Sequence, residues 1–557
     1  MAFNGEQPQA IRWRERFASH GLPFQLVVLF GCWMFMVGLH WSNDGLFFQG
    51  DAPRHAMNGI FWGDLLREGL SDPIGYTKSY YARYPAITPT RYPPVFYFLE
   101  AAAFELLGTS SYVAKGVVQV FGLAMGLYLL VAMRRWISPS SGVLAGLLFL
   151  MPGMLTWSNA VMLNVPAATV SMVGLYYVRC GLEAKTKILT SKYLGLAEVL
   201  LVLSFATHPT VAYASLIMHA WVIIRGKMRA FMHFPLMLVT IFSMTLLAIG
   251  FFCMQLYGME QFSQASVVAS KLSSMKRWWF YAVAMPGLAA WWGWIGGWVC
   301  AAIAWTCPTL RSEVKLVGVA FLIGYIVLTP IWALDARYAL LACPAIIYVL
   351  GLGFARLDAI WVNHPLRFRI PSISLIGCLG LGMAYMVSDS QISLRNTASF
   401  ESVVEYVESI AKEEAVLYDG RFDGVFIYYM RNRDPEFSRQ VVLVRKMIDS
   451  NSDKAQMRKV LLDTGCRWLV LEKTANARPN AREKNLQRLV QSGGFELVKT
   501  FELLPRSIER LEIYRLTSVA RSPEGVGSRN VGIQVQGDLV FPLKKPQKVS
   551  SRNTDSL

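Results

Sequence analysis

An acid, an arginine three residues on and a histidine four on stand at Asp51, Arg54 and His55, inside the stretch Asn43–His55. That stretch follows directly on the first long apolar run, Pro23 to Trp41. A carboxylate at such a boundary is the group needed to deprotonate or polarise an acceptor hydroxyl or amine. Nearby low-dielectric lipid would raise its pKa, and Arg54 would lower it. Asp51-Ala52-Pro53 also reads as a helix start, with the acid as N-cap and the proline in the first turn. The two readings are compatible, because a cap fixes the backbone that aims the side chain.

Further along, Lys78, Arg83 and Arg91 are cations on the same loop and could pair with a phosphate. Arg91 opens Arg91-Tyr92-Pro93-Pro94-Val95-Phe96-Tyr97-Phe98, a double proline followed by an aromatic run that suits a headgroup-level belt. Asn164 lies in Met162-Leu163-Asn164-Val165-Pro166, where a span re-enters the membrane. His208 precedes Pro209 at another span end, where a lone histidine more often serves as a satisfied polar residue. Arg337 and Tyr338 stand at a late span end in Asp335-Ala336-Arg337-Tyr338, where the arginine can reach a lipid phosphate or simply snorkel.

The elements that must position these residues are membrane spans. The 557-residue chain is 54% hydrophobic and 16% charged, whereas soluble domains carry about 25% charged residues. Apolar runs at 23–41, 113–133, 141–157, 161–178, 194–224, 235–256, 280–305, 314–333, 338–354 and 371–388 approach the roughly 20 residues a span needs. The expectation is a polytopic α-helical membrane protein of about eleven spans. The net charge of +17 is read as the positive-inside rule and not as nucleic-acid binding. The cysteines sit mostly in apolar runs, with no CxxC pair, and read as small core residues.

Charge sets the orientation. Arg12, Arg14 and Arg16 place residues 1–22 in the cytoplasm, so 42–112 is the first extracytoplasmic loop. Within it, Pro93–Leu107 is short and carries Glu100 and Glu105; it reads as an interfacial helix, which leaves Arg134 and Arg135 inside. Loops around Arg179–Lys192, Arg225–Arg229, Arg311–Lys315 and Arg356–Arg369 also fall inside. Residues 23–388 then form the transmembrane domain.

Past Ser388 the apolar runs shrink to strand length. Residues 415–418, 441–444, 468–471 and 511–516 read as strands, and 402–412, 454–463 and 483–491 as helices. Residues 389–516 are expected to form an extracytoplasmic α/β domain with a partly parallel sheet, and 517–557 a disordered tail. No GxGxxG and no P-loop signature is present.

The order of these features resembles a known family. A first span leads to a loop with an early acid, a Tyr-Pro-Pro aromatic helix, a returning span ending in Arg134-Arg135, a Met-Leu-Asn-Val-Pro turn and a late Arg-Tyr segment closed by Pro344. This is similar to the GT-C glycosyltransferases, in the bacterial branch of protein O-mannosyltransferases and lipid A aminoarabinose transferases, over about residues 20–355. The resemblance implies inverting transfer of a sugar from a polyprenyl-phosphate donor to a cell-envelope acceptor, protein, lipid or glycan, at the outer face of a bacterial inner membrane. It makes Asp51 the general base and Arg337 the candidate for the donor phosphate. It also leaves a divalent metal open as cofactor. The chain departs from the family pattern at Ala52, where a second acid is usual, at Tyr92, where a charged residue often precedes the double proline, and at Asn164, where an acid is common.

Two other classes compete. A transporter or flippase of a lipid-linked glycan would show internal repeats and ionisable groups at mid-membrane, and neither is evident. A non-catalytic scaffold is motivated by the missing second acid.

Overall fold

The computed structural model describes residues 21–39, 51–89, 92–137, 141–227, 274–329, 334–360, 382, 400–412, 414–448, 455, 457–458, 461, 464, 466–473, 481–502, 510–517, 533–535 and 539–541. The start of the opening stretch (43–50), Arg91, and the apolar runs at 235–256 and, Gly382 apart, 371–388 lie outside them. Two compact units are present. One contains 1–42, 89–99 and 112–394; the other joins 43–88 and 100–111 to 395–557.

In the first unit, three described helices are long and apolar enough to cross a membrane: Ser111–Trp136, Lys187–Phe205 and Met275–Trp305. Leu22–Gly38, Pro308–Leu328 and Ala342–Ile360 are further apolar helices. Several apolar runs are interrupted. Run 141–157 breaks into Ser141–Leu147, a 3-10 turn and Pro152–Ser158, because Pro152 lacks the N–H that a continuous helix would need. Run 194–224 divides at His208-Pro209 into Lys187–Phe205 and Tyr213–Ile224. Met275–Trp305 contains Pro286 and a non-helical Ala290 at φ 58°.

Large apolar side chains such as Phe24, Val27, Trp279, Trp291 and Trp298 are exposed on these helices. Such surfaces are rare in water and ordinary against lipid. Small residues bring neighbouring helices together. Asn164–Glu183 packs along Lys187–Phe205, and a Cβ on Gly174 would come within 2.9 Å of Leu201. Ser171 and Ser204 share a 2.6 Å hydrogen bond at that seam.

The second unit holds a five-stranded sheet in the order β2-β1-β3-β5-β4, with β1 Val416–Asp419, β2 Val441–Leu443, β3 Trp468–Lys473, β4 Phe495–Glu502 and β5 Arg510–Leu516. β1 pairs in parallel with β2 and β3, while β5 runs antiparallel to β3 and β4. Leu417, Val442, Leu469 and Leu471 supply a core closed by Leu486 and Leu489 of helix Ala481–Gln491. Helix Asp423–Asn432 packs on helix Ala52–Asp64, which precedes the sheet by more than 350 residues. Beyond β5, residues 533–535 pair antiparallel with 539–541.

Candidate functional site

The sequence-selected residues fall into two clusters, one in each unit. In the second unit, Asp51 ends the approach to helix Ala52–Asp64, with Pro53 in its first turn. Asp51 has φ −86° and ψ −28°, and its carboxylate makes no cap hydrogen bond. The expected side-chain cap is therefore not formed, since a capping residue normally adopts extended dihedrals. His55 is buried. Arg54 reaches both carboxylate oxygens of Asp423, at 3.1 and 3.0 Å, and Arg445 donates to the same carboxylate. The close approach requires Gly424, where a Cβ would lie 3.1 Å from Pro53.

Lys78 and Arg83 lie on helix Pro73–Arg83. Lys78 is half-buried, and Arg83 donates to the Phe437 carbonyl. The same helix joins a buried network. Tyr80 donates to Asp64 at 3.1 Å, and Arg431 donates to Asp64 at 2.7 Å and to Tyr80 at 3.1 Å. The Arg431 guanidinium covers the Phe437 ring at 4.0 Å. Tyr84 donates to Asp434. Burial alone would raise the Asp434 carboxyl, but bonds from Tyr84, Ser438 and the Arg439 amide outweigh it and hold it below the usual range.

At the carboxyl edge of β1 and β3, Asp419 and Glu472 are both buried. Glu472 accepts from the Tyr418 hydroxyl at 3.0 Å and the Phe422 amide at 3.1 Å. Burial nonetheless pushes its carboxyl up to about 7. Asp423, Arg431, Arg445 and Lys446 escaped the sequence reading. Their partners stand 351 to 369 residues away, except for contacts within their own segment.

In the first unit, the His208 ring lies between Tyr92 and Tyr338, at 5.6 and 5.9 Å between centroids. His208 opens the 3-10 turn Pro209–Ala212, and its Nδ1 accepts from the Thr210 amide at 3.3 Å. Arg337 packs its guanidinium over Trp157 at 5.8 Å and Tyr338 at 5.4 Å, and pairs with Asp335 at 3.1 Å. Its side chain is only 11% exposed, so it lies against aromatic rings instead of snorkelling outward. The Asp335 carboxylate accepts from the Arg337 amide and fixes the turn Ala336–Ala339. Arg337 Nη1 also comes 3.8 Å from Met162 Sδ. Two residues beyond Met162, buried Asn164 has an Oδ1 with no hydrogen-bond partner among the described residues.

Beside this cluster is an almost wholly apolar cavity of about 640 Å³, lined among others by Tyr213, Ile217, Tyr281, Met285, Trp294, Phe321, Leu341 and Pro344. Tyr213 links it to the aromatic cluster, donating to the Tyr338 carbonyl at 3.4 Å. The far wall includes Glu313, which Arg179 and Arg225 approach at 2.8 and 3.0 Å. Among the described residues no three His, Cys, Asp or Glu side chains converge as metal ligands.

No protein-family model and no curated protein matches the sequence. Solved structures do match the fold. ArnT from Cupriavidus metallidurans bound to undecaprenyl phosphate aligns with a TM-score of 0.59 at 14% identity, over 92% of this chain and 100% of that one. The oligosaccharyltransferase AglB from Archaeoglobus fulgidus, in complex with an inhibitory peptide and a dolichol-phosphate, aligns at 0.53 and 10% identity, over 81% and 69%. A further Archaeoglobus fulgidus oligosaccharyltransferase structure, a complex with Zn and sulfate, aligns at 0.53 and 10%, over 80% and 68%. At these identities the likeness is one of architecture, and the architecture they share with this chain is the GT-C fold.

Proposed function

We propose that this chain is a multi-pass inner-membrane glycosyltransferase that moves a sugar from a polyprenyl-phosphate donor to a cell-envelope acceptor on the extracytoplasmic face. The observation that carries the reading is the apolar cavity of about 640 Å³ joined through Tyr213 to Tyr338, the residue beside Arg337. An isoprenoid chain needs an apolar volume, and its phosphate needs a cation next to it. The fold likeness to an ArnT structure bound to undecaprenyl phosphate supports the same donor class.

In this reading Asp51 removes the proton from the acceptor hydroxyl or amine. The acceptor atom forms a bond to the anomeric carbon from the face opposite the phosphate. The carbon–oxygen bond to the phosphate breaks with its electron pair on the phosphate oxygen, and the sugar centre inverts. Arg337 compensates the charge left on the polyprenyl phosphate. His208, Tyr92, Tyr338 and Asn164 bind the substrate around it, where the unsatisfied Asn164 Oδ1 offers an acceptor to a sugar hydroxyl. Arg54, His55, Lys78, Arg83 and Arg91 remain candidate substrate contacts, although Arg54 and Arg83 already hold protein partners. The extracytoplasmic placement of residues 42–112 and of the C-terminal α/β region, the cytoplasmic N-terminus, and about eleven spans complete the proposal.

The test is transfer of labelled sugar from polyprenyl-phosphate donors in proteoliposomes, with cell-envelope lipids, glycans and proteins as acceptors. The wild-type chain should transfer, and Asp51→Asn should lose transfer while keeping its melting temperature. Undiminished turnover by Asp51→Asn overturns the base assignment; inactivity of the wild type with every donor overturns the reaction class.

A further inference from the structure

One group of cations in the second unit, Arg54 among them, has no part in the bond-making steps above. Arg54 and Arg445 converge on the single carboxylate of Asp423, which is buried to 2% exposure. Lys446, next in sequence to Arg445, donates to the Tyr81 hydroxyl and to the Pro85 carbonyl at 3.4 Å. Arg54, Arg445 and Asp423 also act on Tyr81 and on Lys446 electrostatically, so these side chains form one cluster. Two arginines thus pair with the Asp423 carboxylate, and the Lys446 ammonium lies within its electrostatic reach. Burial, with Arg54 and Arg445 adding to it, pushes the Lys446 ammonium down to about 8.

Like charges gathered in a partly buried place are costly unless an anion completes them. The side chains of Arg54 and Arg445 are 23% and 31% exposed, so both lie within reach of a ligand from solvent. Two planar guanidinium groups, one ammonium and a phenol hydroxyl match the three oxygens and double charge of a phosphate monoester. A carboxylate would satisfy only part of this set.

We infer that Arg54, Arg445, Lys446 and Tyr81 form a binding site for a phosphate-monoester-type oxyanion, carried either by a lipid headgroup or by a soluble phosphate. The anion neutralises the charge that Asp423 leaves uncompensated. The site belongs to the seam between the Asp51-bearing helix and the C-terminal sheet, and its occupancy can be read without any turnover. It stands whether or not sugar transfer is the reaction.

The test is chemical labelling of Lys446 in the full-length protein in phosphatidylcholine nanodiscs at pH 8, read by peptide mass spectrometry. An amine reagent attacks only the neutral amine, and an anion that raises the lysine pKa by one unit removes about ninefold to tenfold of its labelling at high pKa and about fivefold near the midpoint. Inorganic phosphate, compared with chloride at equal ionic strength, forms one arm; phosphatidic acid added to the nanodisc forms the other. Protection of about fivefold in the phosphate arm supports a soluble ligand, and protection in the phosphatidic acid arm alone supports a lipid headgroup. Arg445→Gln, which leaves Arg54 on Asp423, should abolish the protection relative to the chloride control of the same variant. Equal labelling of Lys446 in both arms and in the chloride control overturns the inference, as does protection that survives in Arg445→Gln.

Discussion

The two clusters are built from different materials. The second unit ties the Ala52–Asp64 and Pro73–Arg83 helices to the C-terminal sheet with charges: Arg54 and Arg445 on Asp423, Arg431 on Asp64, and Tyr84 on Asp434. The first unit sets Arg337 against the rings of Trp157 and Tyr338, with His208 between Tyr338 and Tyr92, and pairs it with Asp335. The difference follows from what each region must do. A seam that holds one geometry gains from paired charges whose separation is costly. In the proposed reading, the first unit's centre takes a charged ligand on a cation held in place by aromatic faces.

The largest effect is expected where the seam is broken inside. Asp64→Ala leaves Arg431, 8% exposed, without its carboxylate. It should destabilise the protein by about 3–5 kcal/mol, read by thermal unfolding in detergent. A loss below about 1 kcal/mol would mean that the network does not hold the seam.

Next comes the pH response of Glu472. Its carboxyl in the fold lies near 7, above the roughly 4.3 of an unfolded chain. Between those values the folded state holds the extra proton, so stability falls as pH rises from about 4.5 through 7. The difference amounts to at most about 4 kcal/mol. Hydrogen exchange at the Phe422 amide, which donates to Glu472, should therefore quicken beyond the chemical rate between pH 5 and 8. Glu472→Gln should remove that additional slope.

Arg337→Ala probes the other cluster. Loss of a charge-assisted contact of about 1.5–3 kcal/mol should weaken binding of polyprenyl phosphate roughly ten- to hundredfold. Little change in melting temperature is expected, because the Asp335 carboxylate that pairs with the arginine belongs to the same short turn. Weakened folding with unchanged lipid binding would turn the comparison round and make Arg337 a structural residue.

The smallest effect is expected at the surface of the second unit. Arg433 contacts Glu401, Glu405 and Glu408 but is 32% exposed. Arg433→Ala should cost less than about 1 kcal/mol by the same unfolding measurement. It serves as the contrast that shows burial, and not the mere number of ion pairs, sets the strength of the seam.

The sequence by itself determined what depends on neighbours along the chain. Apolar runs of span length, the change of composition after Ser388 and the positions of β1, β2, β3 and β5 are local properties, and among the described residues helices and strands appear where those runs lie. Other features were hidden because the local signal was weak or misleading. β4, Phe495–Glu502, is an edge strand of mostly exposed residues, in which Glu496, Lys499, Thr500 and Glu502 interrupt the apolar ones. The run 141–157 looks continuous in hydropathy, but Pro152 divides it. Helix Asp423–Asn432 is short and mixed in polarity, and its meaning lies in what it touches.

Only the tertiary structure decided partners. Nothing near Arg54 specifies Asp423, 369 residues on, and nothing near His208 specifies Tyr92 and Tyr338 on either side. Hydropathy and helix signals are carried by adjacent residues, whereas ion pairs and ring stacks form after distant segments have packed. Asp51 was legible as a residue able to do chemistry. That its helix is anchored through Arg54 to the C-terminal region was not, because the anchoring charge belongs to a segment folded from the other end of the chain.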